Sequence, residues 1–133
     1  KSYDNAIYLK DGPETVWEKL RPMVTDPARV RRTDPGDPEK CPVYDLHRFF
    51  TPQEPRAEVA AGCASADIGC IDCKKILFSA LEEVMEPIRS RRQDLETRPD
   101  LVRQILEEGN GRAREEARFT MASVREAVRL YRL

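Results

Sequence analysis

Four cysteines, Cys41, Cys63, Cys70 and Cys73, stand at a spacing of C-x21-C-x6-C-x2-C, and the chain has no others. Four thiolates complete the coordination sphere of one metal centre, and the tight C-x2-C pair supplies two ligands from adjacent turns. Cys41 falls in a proline-rich stretch, Cys63 and Cys70 follow Gly62 and Gly69, and Cys73 opens a long helical pattern. A residue without Cβ lets backbone approach a bulky centre closely. A helix beginning near Ile71 turns free N–H groups and the positive end of its dipole toward the thiolates. Lys74 and Lys75, next in line, offset remaining negative charge. On spacing alone structural zinc leads, a 4Fe–4S cluster follows, and unliganded cysteines or a redox dithiol at Cys70 and Cys73 come last. No thioredoxin-like βαβ pattern surrounds that pair, which counts against the redox reading.

The elements that must position these thiols read as helices. Eight of the ten prolines lie between Pro13 and Pro55. The N-terminal half is therefore expected to consist of short helices joined by ordered loops, with longer helices after it. A first helix begins at Pro13, buries Val16, Trp17 and Leu20, and ends near Pro22. Residues 25–42 form a loop with turns. Short helices follow over about Val43–Phe50, burying Tyr44, Leu46 and Phe49, and from Thr51-Pro52 to about Ala61, with Gly62 as the stop. The clearest helix spans about Ile71–Glu96, where Cys73, Leu77, Leu81, Val84 and Ile88 make one stripe and Pro87 predicts a kink or break. Pro99–Glu108, with Leu101, Val102 and Ile105 inward, and a last segment from Asn110 or Gly111 to about Tyr131 complete an all-α domain of five or six helices. The expected division is a linker over 1–12 and a helical domain over 13–133.

Composition agrees with that class. The chain has 133 residues, 35% of them charged and 7% aromatic, which suits a helical domain with salt-laced surfaces better than a sandwich or barrel. Lys plus Arg number 23 against 24 Asp plus Glu, so overall charge does not announce a nucleic-acid binder. Charge is nonetheless clustered, at Arg29, Arg31 and Arg32 and again among the arginines after residue 110. No apolar run approaches the length of a membrane span and no signal peptide is visible. The cytoplasm is therefore the expected compartment, where cysteines read as metal ligands before disulfides. The first residue is Lys1 rather than methionine, so the chain is expected to be processed or part of something longer.

Other segments carry a resemblance. Lys1-Ser2-Tyr3-Asp4-Asn5-Ala6-Ile7, the run from Thr25 to Asp34 (TDPARVRRTD), Cys41-Pro42-Val43-Tyr44-Asp45-Leu46-His47, Ile68 to Lys75 (IGCIDCKK) and Arg98-Pro99-Asp100-Leu101-Val102 are involved. Together they resemble the bacterial tryptophanyl-tRNA synthetases from the end of the KMSKS loop onward, over essentially the whole chain. The likeness is greatest to the subgroup with a C-x(about 22)-C-x6-C-x2-C motif that carries a 4Fe–4S cluster. The first gap here is one residue shorter, which a loop can absorb.

The resemblance implies a cluster in place of zinc on Cys41, Cys63, Cys70 and Cys73, in a C-terminal helical domain that recognises the anticodon of tryptophan tRNA. It also implies the parent reaction, in which tryptophan and ATP form tryptophanyl-adenylate and the tryptophanyl group then passes to tRNA. Lys1 matches the second lysine of KMSKS and Ser2 its final serine, residues that contact ATP phosphates as pyrophosphate departs. The Lys-Met-Ser that precedes them in the family lies outside these residues, as does the Rossmann domain with its HIGH-type motif and tryptophan pocket. This stretch alone is therefore not expected to activate tryptophan. The parent enzymes are expected to be homodimers, and this chain by itself a monomer.

RNA-facing candidates are Arg29, Arg31 and Arg32 in the loop leading to Cys41, with Lys40, Arg48, Lys74 and Lys75 near the cysteines. Loop-anchoring salt bridges from the arginines to Asp26 or Asp34 are the competing role. His47, the only histidine, is expected at the surface or core edge rather than as a ligand. A zinc-stabilised helical module that binds proteins and not RNA is the alternative for the whole domain.

Overall fold

The computed structural model describes residues 6–129, and every regular element among them is helical. In order these are α1 (Pro13–Leu20), a short 3-10 turn (Pro38–Lys40), α2 (Pro42–Phe50), α3 (Gln53–Ala64), α4 (Cys70–Glu96) and α5 (Pro99–Ala127). Proline marks the starts of α1, α2 and α5, where its missing N–H costs nothing and its fixed φ suits the first turn.

The chain divides into two compact units, residues 1–90 and 91–133. In the first, Leu20, Cys41, Val43, Leu77 and Leu81 form the buried centre, with Trp17, Tyr44, Leu46, Cys73 and Phe78 packed around it. Trp17 meets Phe78 edge-on at 5.7 Å between ring centroids. Asp11 ties the entry of α1: it accepts from the Tyr8 N–H at 2.9 Å and pairs with Lys19 at 2.7 Å. The Lys19 hydrogen bond holds the Asp11 carboxyl below its ordinary range. Arg89 on α4 binds Glu82 and Glu86 along its own helix and reaches the Asp11 carbonyl at 3.4 Å.

Several expectations are corrected. On α2, Phe49 is 82% exposed while Val43 and His47 are fully buried; the inward face follows the i, i+4 pair rather than the largest apolar side chain. Gly62 lies inside α3 and does not stop it. The helix runs to Ala64, Ser65 folds its hydroxyl back on the Ala61 carbonyl at 2.9 Å, and Ala66 takes the left-handed conformation at φ 62°. On α4 the buried stripe is Leu77, Ala80, Leu81 and Met85, whereas Val84 and Ile88 are 47% and 40% exposed. Pro87 sits inside α4 without ending it, since it removes one helical donor and the flanking turns keep theirs.

In the second unit, Gly109-Asn110-Gly111 does not separate two helices: α5 passes through it unbroken. A helical glycine costs only about 1 kcal/mol relative to alanine, and the surrounding Glu, Arg and Ala residues favour helix. No residue of α5 is buried, and Ile105, expected inward, is 53% exposed. Tyr131 lies outside the described residues.

Candidate metal centre

Each cysteine sits at a helix end in the first unit. Cys41 precedes α2 as its N-cap, Cys63 lies in the last turn of α3, Cys70 is the first residue of α4, and Cys73 follows one turn later. None is in a disulfide.

The thiols sense one another. Burial pushes the Cys73 thiol up to about 12, and the charges of Cys41, Cys63 and Cys70 act in the same direction. Cys63 is raised as well, first by burial and then by Cys41 and Cys70, while Arg29 opposes the shift. The bare Cys63 and Cys73 thiols therefore hold their protons at neutral pH, so a positively charged centre is what would convert them into thiolate ligands.

The surroundings are cationic and tightly built. Arg29 is 8% exposed; its Nη1 lies 3.8 Å from the Cys63 sulfur and its Nη2 donates to the carbonyls of Arg32 and Ile68, both at 2.8 Å. Lys74 is 4% exposed, and its ammonium donates at 2.7 Å to the carbonyls of both Arg21 and Met23. Burial pulls its pKa down, and Cys70, Cys41 and Cys73 oppose that shift. His47 is fully buried, with Nδ1 at 2.8 Å from the Thr51 hydroxyl and Nε2 at 3.3 Å from the Cys73 sulfur. Burial also lowers the His47 pKa, so the ring is neutral and orders the Cys73 side chain.

Glycine matters where the sequence did not point. A Cβ at Gly36 would stand 2.6 Å from the Cys63 sulfur and 3.2 Å from Arg29 Cδ, and the Gly36 N–H donates to the Cys63 carbonyl at 2.9 Å. Gly62 and Gly69 instead adjoin Ile68, at 3.2 Å, and Asp72 and Arg32, at 3.3 and 3.4 Å. Gly36→Ala is therefore expected to cost about 1–3 kcal/mol through overpacking. Thermal unfolding checks this; a curve superimposable on that of the wild type would mean that the Cys63 thiol moves aside freely.

The basic candidates separate by burial. Arg29 and Lys74 are internal, which corrects their placement on an RNA-facing surface: Lys74 is spent on two carbonyls of this chain, and Arg29 donates to two more through Nη2 and faces Cys63 through Nη1. Lys40 is exposed and pairs with Asp37 at 3.0 Å, and Lys75 is exposed and pairs with Asp72 at 3.1 Å. Arg48 pairs with Glu39 at 2.6 Å and Asp45 at 3.0 Å and lies over the Tyr44 ring. Asp26 and Asp34 form no arginine salt bridges in the loop. Asp26 accepts from the Ala28 and Asp37 N–H groups at 2.9 and 2.8 Å, and Asp34 from that of Arg31 at 2.7 Å. Arg31 and Arg32 remain exposed beside an open cleft of about 460 Å³, lined by residues 29–32 and 69–72 at the start of α4. Lys1 and Ser2 lie outside the described residues.

The chain belongs to the family described as "tRNA synthetases class I (W and Y)", whose model matches residues 1–86. A tryptophan–tRNA ligase of Deinococcus radiodurans is 45% identical over 133 residues, covering 100% of this chain and 40% of that protein. One from Aquifex aeolicus is 43% identical over 131 residues, covering 98% of this chain and 33% of its own length. The crystal structure of tryptophanyl-tRNA synthetase from Campylobacter jejuni, complexed with ADP and tryptophan, superposes with a TM-score of 0.81 over 98% of this chain and 40% of that one. Identity there is 24%, so that likeness speaks for the fold. The chain thus spans about a third to two-fifths of the length of the relatives it matches. Among the described residues no helix is long and apolar enough to cross a membrane.

Proposed function

We propose that this chain is the tRNA-reading part of a cytoplasmic tryptophan–tRNA ligase, with residues 13–133 as its anticodon-binding domain and a 4Fe–4S cluster held by Cys41, Cys63, Cys70 and Cys73. The observation that carries the cluster is the set of four cysteines free of disulfides, with the Cys63 sulfur 3.8 Å from the buried Arg29 guanidinium. Among the described residues no three Cys, His, Asp or Glu side chains stand close enough to hold a single ion. Four thiolates on one zinc, each about 2.3 Å from it, must crowd together. A cluster of several irons bridged by its own sulfides keeps its cysteine ligands farther apart and takes four thiolates, the donor set that Cys41, Cys63, Cys70 and Cys73 offer.

The cluster, when bound, supplies a rigid cross-link rather than a step of aminoacylation. The chain's own residues do the recognition. Arg31 and Arg32, exposed at the cleft, meet tRNA phosphates, and exposed Val30 and Ile71 offer apolar walls to an unstacked base. Lys40, Arg48 and Lys75 add charge at the margin, each discounted by its carboxylate partner. Lys1 and Ser2 are assigned the ATP phosphate contacts of the parent enzyme, a homodimer whose tryptophan site belongs to its remaining length.

Protein purified without oxygen should be brown, with about four irons and four sulfides per chain. It should bind tryptophan tRNA, and more weakly after an anticodon change. Arg31→Ala and Arg32→Ala should each weaken binding about tenfold and reduce the slope of log affinity against log salt by about 1. Colourless protein with one zinc would remove the cluster and keep the domain. Indifference to the anticodon would favour a protein-binding helical module instead.

A further inference from the structure

We propose that Arg29 is the built-in counter-charge of the four-thiolate centre, acting on the centre's electrostatics through Cys63 and not merely bracing the loop. The inference rests on the cluster reading above. A guanidinium cannot shed its proton to escape burial. Arg29 is 8% exposed, and among the described residues it has no carboxylate partner. Among the acids of its own loop, Asp26 and Asp34 are occupied by backbone N–H groups, Asp37 by Lys40 and Glu39 by Arg48. Two carbonyls satisfy Nη2, Nε is buried with no partner at all, and Nη1 points to the Cys63 sulfur at 3.8 Å. Carbonyl dipoles alone compensate a buried cation poorly, whereas a thiolate supplies a full negative charge. Gly36 removes the side chain that would otherwise stand between the loop and this pair.

Fixed positive charge beside a cluster's sulfurs favours its reduced, more negative form, and removing that charge favours the oxidised form. The test uses the whole 133-residue chain, loaded anaerobically with iron and sulfide and poised at one fixed potential with dithionite and mediators. Arg29→Gln keeps a donor for one carbonyl and loses the charge; Arg29→Lys keeps the charge and loses the fork. In Arg29→Gln the ratio of reduced to oxidised cluster should fall at least tenfold, equivalent to 59 mV for a one-electron couple. Arg29→Lys should stay within about threefold of the wild type.

An unchanged ratio in Arg29→Gln, or an equal fall in both variants, overturns the proposal while the cluster reading stands. If Arg29→Gln cannot hold a cluster, Arg29→Lys decides: loading with the wild-type ratio supports the charge role, and failure to load assigns Arg29 to loop architecture alone. Wild-type protein that takes up no iron and sulfide overturns the cluster reading, and this proposal with it.

Discussion

Cys73→Ser is expected to lower the stability of the metal-loaded chain by at least about 3 kcal/mol, a fall of roughly 10–15 °C in melting temperature, with loss of bound iron. Cys73 takes part in two structures at once. Its side chain packs against the core of Leu20, Cys41, Val43, Leu77 and Leu81, and its sulfur meets the buried His47 ring. Serine substitutes a hydroxyl where a polarisable sulfur filled that space, and it leaves the remaining thiols without a fourth soft ligand. Because thiols buried this deeply stay protonated without a metal, most of the loss should appear only when metal is present. Melting the wild type and the variant before and after iron removal separates the contributions. Serine at all four positions with no change in melting would rule out a shared centre.

Lys74→Met should cost about 2–4 kcal/mol, since the Arg21 and Met23 carbonyls together lose a charged donor inside the protein. Methionine retains the apolar stem, so packing changes little and the deficit is chiefly polar. Both carbonyls lie just beyond α1, so the substitution also loosens the connection between that helix and α4. Urea denaturation measures the cost. The folded variant should bind tryptophan tRNA with unchanged affinity, because the ammonium faces inward. A tenfold weakening of RNA binding at full stability would return Lys74 to the RNA-facing set.

What was legible in the sequence was local. Pro13 and Pro99 mark helix starts because proline acts on its own backbone. The apolar stripe from Cys73 to Leu81 is correct because residues four apart lie one above the other on successive turns of a helix. What was not legible depends on partners far along the chain. His47 reads as an edge residue until Cys73, 26 residues on, provides its contact. Lys74 reads as a free charge until the carbonyls after α1 appear, 51 and 53 residues earlier. At Gly36, proline-rich surroundings suggest a turn and conceal the sulfur of Cys63. The pair Gly109 and Gly111 misled in the opposite sense: a local signal for interruption was outweighed by the helix formers around it.

The loop that presents Arg31 and Arg32 is held by residues made after it. Arg29 reaches Cys63 and Ile68, which lie 34 and 39 positions later, and Gly36 binds the Cys63 carbonyl. At roughly 5–20 residues per second, a ribosome takes about two to eight seconds to supply those anchors. For that interval the newly made basic segment has its local Arg32 carbonyl but neither the Cys63 sulfur nor the Ile68 carbonyl. Vectorial synthesis therefore completes α3 and the turn after it before the arginine loop can settle, so the face that carries Arg31 and Arg32 is finished by the part of the chain that follows it.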